Sequence, residues 1–367
     1  MAAPIPFSTA TSCSPPAIRR PRTIAVCSSG WVSVRRERRS AARSRSALPR
    51  GGVAQRQEGR LMPQGVAMTS SVPPDFALDA RAVARGFERA AGRFDSAAVL
   101  HREVARRMAE RLDLVTLKPH RLLDLGCGSG ADLQPLRARY PDALMTGLDR
   151  SAAMLAQAAV RTPRWRRWLP GVLGGSQTAV VQADIARLPI AARSHDMVWS
   201  NMALHWLPDL PGALREVQRT LRVGGLFMFS MLGPDTLQEL RAALVEAGLH
   251  GRVHRFIDMH DVGDMLVEAG FAEPVMDMEH ITLTFASPAD LYRDLADTGS
   301  FGALATRPRG LLTPRARRRL DDALLRRLDD GRLPATMEII YGHAWRGEPK
   351  QTEDGRAIIK FERGGRR

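Results

Sequence analysis

Apolar and polar positions first alternate with a helical period between Asp79 and Leu114. Val83, Phe87, Ala91 and Phe94 recur every three to four residues, and Leu100, Val104, Met108 and Leu112 every four, with Arg85, Glu88, Arg106 and Arg111 between them. This predicts two helices over 79–114 with a break near Gly92–Asp95. A short apolar run at 121–125 then reads as a buried strand, followed by a helix at 131–139 that Pro141 ends. The alternation continues with strands at 143–148, 179–183, 196–200 and 226–230 and helices at 151–160 and 211–222, the latter ended by Gly224-Gly225. A helix begins at Leu232-Gly233-Pro234-Asp235-Thr236 and runs through Ala242, and another spans 259–269 and stops at Gly270. Strands near 272–278 and 280–285, a mostly helical stretch over 288–330 and a final strand at 335–344 complete the pattern. Strands alternating with helices predict an α/β fold with a mostly parallel sheet, finished here by antiparallel last strands.

The densest chemistry lies at the first strand-to-helix junction, Asp124-Leu-Gly-Cys-Gly-Ser-Gly-Ala-Asp132. Glycines there permit positive φ and let a ligand approach the backbone. Gly126, Gly128 and Ala131 satisfy the dinucleotide pattern G-x-G-x-x-G/A, while Gly126, Gly128 and Gly130 with Asp124 fit the S-adenosylmethionine (SAM) loop of class I methyltransferases. Asp149 closes the second strand 19 residues after Gly130, where α/β nucleotide folds place a carboxylate for ribose hydroxyls; capping the helix that follows is its other possible role. Asp184-Ile185 follows the third strand, positioned for an acid to accept from an adenine amino group while Ile185 packs on the ring. Ligands bind at the carboxyl ends of such strands, so Asn201, His205 and Trp206 should line the site. For His205 a packed structural role weighs equally.

Charge changes the picture less than its total suggests. The chain has 367 residues and a formal charge of +15, but twelve Arg against Glu37 and Glu58 put +10 before Met68, leaving +5 on the other 300 residues. That is an ordinary surface and gives no support to nucleic-acid binding. Residues 1–67 are rich in Arg, Ser, Ala and Pro; they read as a disordered or transit-like tail, or as residues preceding a true start at Met62 or Met68. Residues 347–367 read as a charged tail. No apolar run reaches the ~20 residues of a membrane span. Cys13, Cys27 and Cys127 show no pairing or metal spacing, which suits a reducing compartment. Residues 161–178, with Trp165 and Trp168, read as a surface insertion.

Taken together, Asp124–Gly130, the Asp149 turn, Asp184-Ile185, Ser200–Trp206 and Leu214–Arg222 with Gly224-Gly225 resemble the class I SAM-dependent methyltransferases. More narrowly, Phe87–Ala91, Ala203–Trp206, Gly233–Arg241, Pro334–Thr336 and Tyr341–Trp345 resemble the malonyl-acyl-carrier-protein O-methyltransferases of biotin synthesis. These features are shared with a sister group, the complex I assembly factors that hydroxylate arginine. The resemblance spans about 79–346 and implies a Rossmann-like, seven-stranded, mostly parallel sheet flanked by helices, with N-terminal helices at 79–114 and a helical insertion at 288–330 before the last strand. It implies SAM as cofactor, held by Asp124, Gly126, Cys127, Gly128, Gly130, Asp149, Arg150, Asp184, Ile185 and Asn201. It further implies a cytoplasmic enzyme that esterifies the free carboxylate of malonyl-ACP, or of malonyl-CoA. Phe94-Asp95 stands where the family commonly has Tyr-Asp, and His101 where Gln is frequent.

The lack of a nucleophile triad or a metal cluster is consistent with that reaction. A carboxylate is already anionic at neutral pH, so holding the reacting atoms in line with water excluded supplies the catalysis. Asn201, His205 and Trp206 are the candidates for positioning. The Arg-rich segment 307–327 could dock an acidic carrier protein, or be a solvated face balanced by Asp321, Asp322, Asp329 and Asp330.

Overall fold

A computed structural model describes residues 24–28, 32–33, 76–161, 178–300, 303–308, 310 and 312–348. The remainder of the expected N-terminal tail, most of the 161–178 insertion with Trp165 and Trp168, and the expected 347–367 tail beyond residue 348 lie outside the described residues.

The core is a seven-stranded sheet: β1 Arg121–Leu125, β2 Leu144–Asp149, β3 Thr178–Gln182, β4 His195–Asn201, β5 Leu221–Leu232, β6 Phe271–Phe285 and β7 Leu333–Arg346. Their order across the sheet is β3-β2-β1-β4-β5-β7-β6. The first five are parallel, and β7 runs antiparallel to both β5 and β6. Residues 24–28 and 32–33 pair antiparallel with β6. The chain leaves β1 toward β2 on one side and later returns to β4 on the other. The crevice between the carboxyl ends of β1 and β4 is therefore the switch point where doubly wound sheets bind ligands.

Helix α1 (Ala80–Ala97) and helix α2 (Val99–Arg111) precede the sheet. They break at Ala98, not near Gly92–Asp95 as the pattern suggested. One interior glycine costs a helix only about 1 kcal/mol, and α1 runs through it until Phe94, Ala97 and Ala98 are buried. The buried face of α1 is made mostly of small residues, Ala82, Gly86, Ala90, Ala91 and Ala97, with Phe94 near its end. Val83 and Phe87, expected in the core, line a cavity instead. Helices α3 (Leu133–Arg139), α4 (Ala152–Arg161), α5 (Leu210–Thr220), α6 (Gln238–Glu246) and α7 (Met259–Glu268) connect the strands.

Two boundaries differ from expectation for visible reasons. Helix α5 stops at Thr220, before the Gly224-Gly225 pair expected to end it, because Leu221 already takes an extended conformation. The glycines instead form a bulge in β5, where the pairing jumps from His195–Leu221 to Met197–Leu226. The two strands expected at 272–278 and 280–285 are one, β6, which alternates buried and half-buried positions from Asp277 to Phe285 and pairs continuously with β7 from Val275 to Phe285.

Helices α8 (Pro288–Asp297) and α9 (Pro314–Leu325) fill the expected insertion between β6 and β7. The hairpin register ends at Phe285–Leu333, so the insertion leaves from the same edge as the carboxyl ends of β1, β4 and β5. There it meets the N-terminal helices: Asp79 N donates to Ala303 O at 2.8 Å and Ala305 N to Ala77 O at 2.8 Å. Both additions to the sheet thus roof the ligand edge. Among the described residues, no helix is long and apolar enough to cross a membrane.

Candidate functional site

The glycine loop is latched to the sheet before any ligand is considered. Gly126 N and Cys127 N both donate to Leu148 O at the end of β2, at 2.7 and 3.0 Å. Gly128 N donates to Asp149 Oδ2 at 2.9 Å, while Asp149 Oδ1 accepts from Ser151 N at 2.8 Å. The cap of α4 is Ser151, whose Oγ accepts from Met154 N at 3.2 Å, so Asp149 is not the capping residue. Glu88 of α1 accepts from Ala152 N and Ala153 N at 2.7 and 3.1 Å and closes the same helix end from outside. On the other side of the loop, Ser129 Oγ donates to Asp95 Oδ1 at 2.5 Å, and Arg161 pairs with the same carboxylate.

These elements surround a cavity of about 580 Å³, within the usual range for a cofactor site. Asp124, Gly126, Cys127, Gly128, Asp149, Arg150, Asp184, Ile185, Asn201 and Trp206, all expected from the sequence, line it together. Gly130 does not. Its positive φ turns the chain into α3, against Ala158 of α4. Arg150 and Asp184 form an ion pair at 3.5 Å at which each side chain is nearly half exposed. Such a pair contributes little and leaves both groups available. The Cys127 thiol is buried among carboxylates, which holds it protonated.

The most informative group is Asp124. It is buried, and its Oδ2 has no hydrogen-bond partner. Burial, together with Asp132 and Asp149, pushes its carboxyl well above the ordinary range. Asp132, which the sequence reading did not assign, lines the same cavity and accepts from Trp199 Nε1 at 3.0 Å. Its pKa is also raised by burial. Asp124 is buried and Asp132 half-buried, and a positive charge between two such carboxyls would favour their ionised forms.

Asn201, at the end of β4, is fixed on both sides. Its Nδ2 donates to His101 O at 3.1 Å and its Oδ1 accepts from Ser230 Oγ at 2.8 Å. Trp206 separates the main cavity from a smaller chamber and lines both. His205 reaches only the smaller chamber. It is buried, its Nδ1 accepts from Leu232 N at 3.3 Å, and burial with the neighbouring His254 keeps it neutral. A cofactor-cavity role for His205 is therefore not what the geometry offers.

Replacing Asp124 with asparagine is expected to stabilise the ligand-free protein while weakening cofactor binding. A carboxyl whose pKa is higher folded than unfolded contributes stability that is full below its unfolded value of about 3.9 and is lost as pH rises through the folded value. The ligand-free Asp124→Asn protein should thus exceed wild type in unfolding midpoint at neutral pH, with the gap closing toward pH 4. An unchanged gap across that range would show that Asp124 is not the strained group.

The methyltransferase-domain family matches residues 123–229, which hold the glycine loop, Asp149, Asp184 and Asn201. The malonyl-[acyl-carrier protein] O-methyltransferase of Gallionella capsiferriformans is 46% identical over 286 residues, covering 78% of this chain and 97% of that protein. The protein of that name from Laribacter hongkongensis is 49% identical over 294 residues, with 78% and 97% covered. The one from Methylovorus sp. is 45% identical over 287 residues, with 78% and 96% covered. At that identity and coverage, on a fold and a cavity of this construction, the chain belongs to the malonyl-[acyl-carrier protein] O-methyltransferase family.

Proposed function

We propose that this chain methylates the free carboxylate of malonyl-ACP, or of malonyl-CoA, and so forms the methyl ester that primes pimeloyl synthesis for biotin. The observation that carries this reading is the family membership together with a cavity built for a cationic, nucleoside-bearing cofactor. When bound, SAM supplies a methyl group on a sulfonium, which is both electrophile and leaving group. The unpartnered carboxylate of Asp124, with Asp132 beside it, suits the cofactor's ammonium. Asp149 keeps lone pairs beyond its two backbone bonds and so can still accept from ribose hydroxyls. Asp184 and Ile185 stand at the adenine end, and Gly126 and Gly128 allow close approach of the backbone. Asn201, Trp206 and the roof of α1 exclude water and fix the acceptor. Among the lining residues the histidines are neutral, which fits an acceptor that needs no deprotonation.

On this reading the acceptor is a carrier-borne acid and not a nucleic acid, and the enzyme works in the cytoplasm. The Arg-rich insertion supports docking only in part. Arg317 pairs with Asp321, and Arg326 and Arg327 pair with Glu246 of α6, not with Asp329 or Asp330. Arg315, Arg318 and Arg319 of α9 are exposed and form the remaining basic face. Reversing Arg315 and Arg318 to Glu is expected to raise KM for the carrier about tenfold at low salt, with the effect shrinking as salt rises. Cofactor affinity should not change. A salt-independent or absent effect would remove α9 from the docking surface.

The biological reading is tested by expressing the full chain in a bacterium that lacks its own malonyl-ACP methyltransferase. Growth without biotin is expected. Failure to grow, with soluble SAM-binding protein present, would favour a protein-modifying role.

A further inference from the structure

The smaller chamber lies behind Trp206, under the 252–256 segment, and shares His101, Met202 and Trp206 with the cofactor cavity. Its walls are largely apolar, from Leu100, Leu240, Phe256 and Met337 among others. Its volume is about 70 Å³, the room of about two waters. An acyl chain or a pantetheine arm does not fit there, but a carboxylate does.

The polar groups in that wall are unusual in what they lack. Arg252 Nε and His254 Nε2 are buried atoms without a hydrogen-bond partner, and both residues line the chamber. Leaving such atoms unpaired costs about 1–3 kcal/mol each, so folded proteins keep few without cause. His254 is also held in place, with Phe256 at 4.4 Å and Trp206 at 5.2 Å between ring centroids. His205 adds a third donor. Because its Nδ1 accepts from Leu232 N, its proton sits on Nε2. Arg241 lies close enough to His254 to act on its charge and is anchored by Pro234 O and Thr236 O. The lining also holds one acid, Asp294, whose Oδ1 is likewise buried with no hydrogen-bond partner, although the residue has an interaction elsewhere. The chamber therefore presents donors and positive charge to a small anion, at the boundary of the cofactor cavity.

We propose that this chamber receives the free carboxylate of the acceptor, with Arg252 and His254 as its hydrogen-bond donors, and so selects malonyl over acyl groups that end in a methyl. The assignment rests on the methyl-transfer reading above. It places one carboxylate oxygen on the donors and keeps the other, with the rest of the malonyl group, on the cofactor side of the boundary formed by His101, Met202 and Trp206. Selection then comes from groups left unpaired when the ligand has no carboxylate, which discriminates more sharply than an apolar pocket can.

The test is titration of the full chain, saturated with S-adenosylhomocysteine, with malonyl-pantetheine and with acetyl-pantetheine. Wild type should bind the malonyl compound about 10–100-fold more tightly. Arg252→Met and His254→Leu should each remove most of that preference while keeping acetyl-pantetheine and S-adenosylhomocysteine affinity, with an unfolding midpoint at or above that of wild type. Arg252→Lys should retain part of it. A preference unchanged in both Arg252→Met and His254→Leu would overturn the assignment and leave the chamber to water. A wild-type protein that binds both compounds alike would contradict the proposed function itself, and the chamber's role with it.

Discussion

Gly126→Ala is expected to destabilise the protein by about 3 kcal/mol and to lower SAM affinity at least about 100-fold. Two costs combine. Gly126 has φ +77°, a conformation that costs an L-residue about 1–2 kcal/mol. A Cβ there would also overlap the side chain of Ala203, and overpacking of this kind costs about 1–3 kcal/mol. Ala203 has no room to retreat. Its neighbour Met202 is itself left-handed at φ 56° and is held by bonds from its N–H to Ser230 O and Ser230 Oγ, both at 3.0 Å. The strain must therefore fall on the loop, whose N–H groups at 126–128 are tied to Leu148 and Asp149. Chemical denaturation and a SAM titration measure the two effects. A variant with wild-type midpoint and affinity would show that the loop is not held as described.

The second large effect lies away from the cavity. Helix α2 is fastened to the sheet by Arg111 Nη2 on Asp277 Oδ2 at 2.6 Å, and by Arg107 on Glu279. Asp277 is 4% exposed, and the Arg111 guanidinium lies 3.8 Å over the Tyr341 ring. Removing one member of such a pair strands the other charge, at a cost of about 3–5 kcal/mol. Asp277→Ala should therefore lower the unfolding midpoint by roughly 10 °C, given about 2–4 °C per kcal/mol for a domain of this size. Replacing both partners, Arg111→Met with Asp277→Leu, should recover most of the loss. Cofactor affinity should hold in both variants, because neither residue lines the cavity. If Asp277→Ala left the midpoint near wild type, the pair would contribute no more than a surface ion pair.

The sequence was most informative where function is written locally. An apolar run, three glycines and Asp149 at its spacing are near neighbours along the chain; Asp124, Gly126, Gly128 and Asp149 meet in one cavity, and Gly130 turns the chain into α3 beside it. The mostly parallel sheet with antiparallel last strands also followed, since strands that alternate with helices pair in parallel. What escaped depends on partners far apart in sequence. Glu88 closes α4 from 64 residues away, and Trp199 bonds Asp132 from 67. Asp132 stood in plain view after the glycines, but only its place in the cavity beside Asp124 marks it out. Val83 and Phe87 have the spacing of a core stripe, yet the small residues of α1 pack inward and turn those two toward the cavity. His250, Arg252, His254 and Arg255 stand out in the sequence as a basic, His-containing patch, but the chamber does not, because its walls come from α2, the 202–206 turn, the 252–256 segment and α8.

The most direct measurement is the intact mass of malonyl-ACP after incubation with the enzyme and SAM, with acetyl-ACP as control. Methyl transfer to the free carboxylate predicts a gain of one methyl on malonyl-ACP, removable by mild base, and no gain on acetyl-ACP. No gain on malonyl-ACP from protein that binds SAM, or an equal gain on both carriers, would contradict it.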